Sequence, residues 1–187
     1  TRNHSSAASD VYKRQAAVDL DRIAAARGAA PGIELRLDAN GAWDHDTAVA
    51  VLGAAATHDI AFCEEPVEGI AEIAAVGRAS GVPVAVDESF RGWHAEALLP
   101  HAEELAAVVV KPQAIGGPHR ALTFISELQE SGLLVVVTSM IDDAVGVAHA
   151  AHVAAACGIT TACGLDTGRM LAADVAPGLR VIDGWIR

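Results

Sequence analysis

Four charged residues, Asp38, Glu64, Asp87 and Lys111, each close an apolar, strand-forming run: "IELRLDAN", "IAFCEEP", "VPVAVDES" and "LAAVVVKP". They are separated by 26, 23 and 24 residues, about the length of one strand–helix repeat. An isolated acid at a strand end is most simply the solvated entry to a loop. A charge that recurs once per repeat, always at the same end of the strand, is a feature of the architecture instead. It predicts a sheet whose strands present one ionisable group each to a common rim.

The segments between these runs carry apolar residues at helical spacing. Helices are expected over "AAVDLDRIAAARGAA", "DHDTAVAVLGAAATH", "GIAEIAAVGRASG", a stretch around 94–104, "PHRALTFISELQESG" and about 142–157. Strands are expected in the four runs above, in "LLVVVTSM" and in "TACGLDT". Strands that are apolar along most of their length, alternating with helices, argue for parallel pairing buried on both faces. An open doubly wound sheet and a (β/α) barrel both accept this order. No Gly-x-Gly-x-x-Gly follows a strand, so a dinucleotide site is unsupported. The barrel sets the strand-end charges around one mouth and is the reading adopted: α/β, a partial (β/α) TIM-type barrel. A closed barrel of this type has eight strands. The chain supplies six, so two strands and whatever preceded them are expected to be absent at the front.

With 24 acidic residues against 13 Lys plus Arg, a net charge of −11 disfavours nucleic acid and anionic membrane surfaces as partners. A cation or a small ligand bound locally remains compatible. No run reaches the roughly 18 apolar residues of a bilayer span. Cys63, Cys157 and Cys163 are odd in number and in no metal-ligand spacing, which points to buried thiols in a reduced, cytoplasmic setting. His149 and His152 share a helix face but are read as packing or surface groups.

Residues 1–15, "TRNHSSAASDVYKRQ", differ from the rest: polar, without a sustained period and without the apolar core of a signal peptide. "DVYKRQ" matches the translation of a transposon mosaic-end adaptor, so 1–15 is expected to be a non-native or disordered segment and 16–187 the native barrel portion.

Three carboxylates on neighbouring strand ends repel one another unless a cation lies between them, and hard oxygen donors favour Mg²⁺, with Mn²⁺ as a substitute. With "LDAN", "EEP", "DES" and "VKP" at these spacings, residues 16–187 resemble the enolase superfamily in its muconate-lactonizing-enzyme-like branch. The resemblance implies that Asp38, Glu64 and Asp87 are metal ligands and that Lys111 stands beside an anionic intermediate. It leaves Glu65, Asn40 and Glu88 as supporting or surface groups. "VVVTSMIDDAVGVAHAAHVAAACG" and "ACGLDTGRMLAADVAPG" are similar to the corresponding regions of o-succinylbenzoate synthases of the actinobacterial type, which implies Ser139 and Gly164 at the substrate mouth. Dipeptide epimerisation and muconate cycloisomerisation share the same framework.

The implied activity is a Mg²⁺-dependent dehydration through proton abstraction α to a carboxylate, as in menaquinone synthesis. The branch draws its acid/base from a Lys-x-Lys pair one repeat before Asp38, where this sequence has "VYKRQ"; Lys13 is read as coincidental. The branch's N-terminal capping domain is likewise not found. The chain is therefore expected to be an inactive fragment of such a lyase, or a non-catalytic product that binds a divalent ion weakly. Its open sheet edges at "IELRLD" and "TACGLD" are expected to make it prone to self-association.

Overall fold

A computed structural model describes residues 5–90 and 94–186, with side chains from Ala16 onward. The chain forms two compact units, 1–90 with 103–106, and 91–102 with 107–187.

In the first unit, α1 (Ser5–Ala29) leads into β1 (Leu35–Asp38), α2 (His45–Ala55), β2 (Ile60–Glu64), α3 (Ile70–Ser80) and β3 (Val84–Val86). The strands pair in parallel in the order β1–β2–β3, with Asp38 opposite Glu64 and Glu64 opposite Ala85. Parallel neighbours need a crossover, and each intervening helix provides it. Asp44 caps α2, its carboxylate accepting the Thr47 N–H at 2.8 Å. The α2 residues Ala48, Val51, Leu52 and Ala55 are buried, as are Ile73, Ala74 and Val76 of α3. Gly77 lets α3 approach the sheet closely: a Cβ there would lie 2.7 Å from a Val84 methyl.

Helix α1 begins at Ser5, so it runs through most of residues 1–15, the polar segment expected to be non-native or disordered. The Lys13 side chain lies outside the described residues. At the other end of α1, Arg27 ties the helix to the strand entrances. Its guanidinium donates to the carbonyls of Pro31 (3.0 Å), Ile33 (2.7 Å), His58 (2.9 Å) and Asp59 (2.9 Å). His58 and Asp59 directly precede β2, so one side chain fixes where two neighbouring strands start.

The second unit contains β4 (Ala107–Val110), α4 (Pro118–Glu130), β5 (Val135–Val137), α5 (Ala144–Ala156) and a terminal antiparallel pair, β6 (Val181–Ile182) and β7 (Trp185–Ile186). All residues of β4 and β5 are buried, which matches their continuous valine-rich sequences. Three expectations are corrected here. The helix around 94–104 is two short 3₁₀ turns, Ala95–Ala97 and Leu99–His101, because Pro100 has no N–H to continue an α-helical ladder. The sixth strand reduces to a single parallel bridge between Thr138 and Gly164, after which the chain turns into a 3₁₀ segment at Thr167–Met170. Of the three cysteines, Cys63 is fully buried while Cys157 and Cys163 are only partly so. His149 and His152 are exposed. No helix among the described residues is long and apolar enough to cross a membrane.

Gly164 owes its identity to the bridge. A Cβ there would meet the Thr138 methyl at 3.1 Å, tighter than ordinary contact. Two tests follow, one for each unit. Arg27→Lys keeps the charge but not the planar fork that reaches four carbonyls. It should cost roughly 1–3 kcal/mol in urea unfolding, and a variant as stable as wild type would remove Arg27 from this role. Gly164→Ala should cost about 1 kcal/mol by overpacking. The cost should shrink when Thr138→Ser removes the offending methyl; additive effects in that double-mutant cycle would disprove the contact.

Candidate functional site

In parallel strands, residues paired in register present their side chains to the same face. Arg36 with Phe62 and Asp38 with Glu64 therefore form one stripe, while Leu37 with Cys63 points the other way. The Arg36 guanidinium lies over the Phe62 ring, 4.9 Å from its centroid, and it also pairs with Glu34 at 2.7 Å. Asp87 stands two residues beyond Ala85, the partner of Glu64, which carries the stripe onto a third strand end. Asp38 is exposed, Glu64 half-buried and Asp87 buried. On the opposite face, burial together with the charges of Asp38 and Glu64 pushes the Cys63 thiol up to about 12. That thiol is neutral and inert.

The donor chemistry suits a hard divalent cation: three carboxylates on successive strand ends. Among the described residues, no group of three or more His, Cys, Asp or Glu side chains is drawn together closely enough to hold a metal ion. Backbone register thus aligns the three acids, and the side chains do not converge.

The loops behind these acids are joined through "EEP". The Glu64 carbonyl accepts from Ala39 at 3.1 Å and the Glu65 carbonyl from Gly41 at 2.7 Å, so the turn after β1 hangs on the end of β2. Asp38 closes that turn on itself by accepting the Asn40 N–H at 3.0 Å. The Glu65 side chain points toward β3. Its Oε2 accepts the Asp87 N–H at 2.9 Å, and its Oε1 accepts the Ser89 hydroxyl. Ser89 Oγ in turn accepts the Gly69 N–H at 2.7 Å. Burial pushes the Glu65 carboxyl above its ordinary value, against the downward pull of the Ser89 and Asp87 hydrogen bonds. Glu88 is exposed. Sequence reading grouped Glu65 with Asn40 and Glu88, and it did not single out Ser89.

The second unit presents its own row. Val108, Val109 and Val110 pair with Val135, Val136 and Val137, which places Lys111 level with Thr138 and on the same face. The Thr138–Gly164 bridge continues that row, so Lys111, Thr138 and Gly164 follow one another on successive strand ends. Lys111 is half-buried and Gly164 exposed. The Thr138 hydroxyl is buried without a hydrogen-bond partner, as is the Gln113 side-chain oxygen, whose amide nitrogen donates to Gly146 at 2.6 Å. Ser139 is buried, and its hydroxyl is engaged with the Gly164 carbonyl (3.2 Å) and Thr167 Oγ1 (2.8 Å). Thr138 escaped the sequence reading because choosing between adjacent hydroxyls requires the strand register.

Residues 6–187 match the Enolase C-terminal domain-like family. The chain is 40% identical over 131 residues to the o-succinylbenzoate synthase of Thermobifida fusca, covering 70% of this chain and 40% of that protein. It is 34% identical to the o-succinylbenzoate synthase of Mycobacterium leprae, covering 90% and 49%. Among solved structures, the dipeptide epimerase of Cytophaga hutchinsonii, complexed with Mg and the dipeptide D-Ala-L-Val, superposes with a TM-score of 0.82 at 29% identity, over 91% of this chain and 48% of that one. The chain spans less than half the length of the curated relatives it matches. Strand-end acids on parallel strands, the strand–helix repeat and the family match over nearly the whole chain agree: this chain belongs to the enolase superfamily, as a part of its C-terminal barrel domain.

Proposed function

We propose that the chain is the barrel portion of an o-succinylbenzoate synthase, a lyase that removes water from a hydroxycyclohexadiene carboxylate and leaves an aromatic ring, in menaquinone synthesis. The observation that supports this most is the in-register pair Asp38 and Glu64, with Asp87 on the next strand end, in a chain 40% identical to a synthase. In this reading a proton leaves the carbon next to the substrate carboxylate and hydroxide leaves the neighbouring carbon, so that one water is lost. Asp38, Glu64 and Asp87 would hold a divalent cation, Mg²⁺ or Mn²⁺. When bound, it supplies positive charge that binds the substrate carboxylate and offsets the negative charge built up as the proton departs.

The family resemblance gives Lys111 the role of an ammonium that would offset the developing charge and meet the face of the ring. Thr138, Ser139 and Gly164 belong to the substrate side, with the Thr138 hydroxyl as the group still able to donate. The chain's lysines are Lys13 and Lys111. With no Lys-x-Lys pair to act as base, the 187-residue chain is proposed to bind ligands without turning them over; loss of general acid/base action alone typically costs about 10²–10⁴ in rate. Its free cysteines fit a cytoplasmic setting. Dipeptide epimerisation is the second reading, favoured by the superposition on the Cytophaga hutchinsonii enzyme.

Thermal melts test both readings. Mg²⁺ or Mn²⁺ should raise the melting temperature; saturation at a hundredfold excess over Kd corresponds to about 2.7 kcal/mol. Asp38→Asn, Glu64→Gln and Asp87→Asn should each diminish the shift, and equal shifts in all four proteins would sink the ligand assignment. With Mg²⁺ present, o-succinylbenzoate should stabilise the chain further and L-Ala-L-Glu should not. The reverse result would favour the epimerase. Formation of the aromatic product by the chain itself would overturn the role given to the absent base.

A further inference from the structure

Glu65 occupies a conformation that its sequence opposes. Its φ is +41°, in the left-handed region that L-residues with side chains rarely adopt. The next residue is Pro66, which biases whatever precedes it toward extended backbone. A carboxylate that is 5% exposed also bears a desolvation cost. Three unfavourable choices at one residue persist only where the surroundings over-determine them.

Those surroundings are specific. The Glu65 N–H donates to the Ala85 carbonyl at 2.9 Å, and the Glu65 carbonyl accepts from Gly41 at 2.7 Å. One carboxylate oxygen accepts the Asp87 N–H and the other the Ser89 hydroxyl. Every polar group of this residue is thus engaged: the N–H with β3 itself, and the carbonyl and carboxylate with the turn after β1 and the turn after β3. These are the two turns that follow Asp38 and carry Asp87, while Glu64 is the preceding residue of Glu65 itself.

We propose that Glu65 and Ser89 are positioning residues for the cation site: they fix the backbone of Asp87 against the strand end of Glu64 and so set the geometry from which the three acids close on an ion. This rests on the cation reading given above. Glu65 does not touch the ion; its negative charge is spent on the Asp87 amide and the Ser89 hydroxyl. The interaction required at Asp87 is an acceptor for its N–H, not a negative charge. A glutamine supplies that acceptor through its amide oxygen and turns its NH₂ toward Ser89 Oγ, whereas alanine supplies neither.

The test is Mn²⁺ affinity, read from the free-ion EPR signal on titration of the 187-residue chain, alongside the melting temperature of each variant without metal. Glu65→Ala should weaken Mn²⁺ binding by about 10–100-fold, the range found when groups supporting a metal ligand are removed. Ser89→Ala should weaken it in the same direction by less, and Glu65→Gln should stay near wild type in affinity. If Glu65→Ala does not fold, the comparison of Ser89→Ala with Glu65→Gln decides. Variants that lose melting temperature but keep the wild-type Kd would show a purely structural role and overturn the proposal. A Glu65→Gln affinity as poor as that of Glu65→Ala would also overturn it, since charge rather than acceptance would then be what matters. Absence of Mn²⁺ binding by wild type is a separate outcome: it removes the cation reading, and this proposal with it.

Discussion

The register of β1 against β2 governs the chemistry of the first unit. Because side chains alternate along a strand, a slip of one residue would send Asp38 to the face now occupied by Leu37 and Cys63, and the strand-end carboxylates would no longer share a side. The register is fixed from both ends. At the strand entrances, Arg27 holds the carbonyls of Pro31, Ile33, His58 and Asp59 in one guanidinium. At the exits, the Glu64 and Glu65 carbonyls take the amides of Ala39 and Gly41. The Arg27 clamp lies outside the ladder and the Ala39–Glu64 bond is its last rung; each makes a shifted pairing costly by leaving a charged or backbone group without its partner.

The exit clamp also concentrates strain where ligand binding is proposed. Asn40 and Glu65 both have positive φ, at +49° and +41°, and they flank Asp38 and Glu64 along the chain. A scaffold of buried valines and alanines gains stability from burial alone and has no need of such residues. Their presence at the charged ends of the strands, and not within them, fits a molecule whose core is generic and whose rim is particular.

In the second unit the same division recurs with different chemistry. Strands β4 and β5 are short runs of buried alanine and valine that would fit many barrels. Their ends carry Lys111, Thr138 and, across a single bridge, Gly164, where small size is imposed by the Thr138 methyl. The expected strand in "TACGLDT" fails to extend past that bridge. Glycine contributes no side chain to pack against a neighbour, and hydrogen bonds on either side of one residue do not build a ladder.

Much of this protein was legible in order along the chain. The alternation of apolar runs with helical spacing gave the parallel strand–helix repeat, and the recurring terminal charge placed Asp38, Glu64, Asp87 and Lys111 each at the end of its own strand, because both signals are local and periodic. Pro100 already carried the break that turns an expected helix into two 3₁₀ turns, although its consequence was read only in the structure. What tertiary structure alone decided is which neighbour of each signal residue matters. Glu65 and Glu88 are both acids beside a strand-end acid, yet one is buried between two loops and the other is exposed. Thr138 and Ser139 are adjacent hydroxyls, yet one is left without a partner in the row of Lys111 and the other is held by Gly164 and Thr167. Such choices depend on register and on contacts between residues some 20 or more positions apart, and a period read along one strand contains no information about the strand beside it.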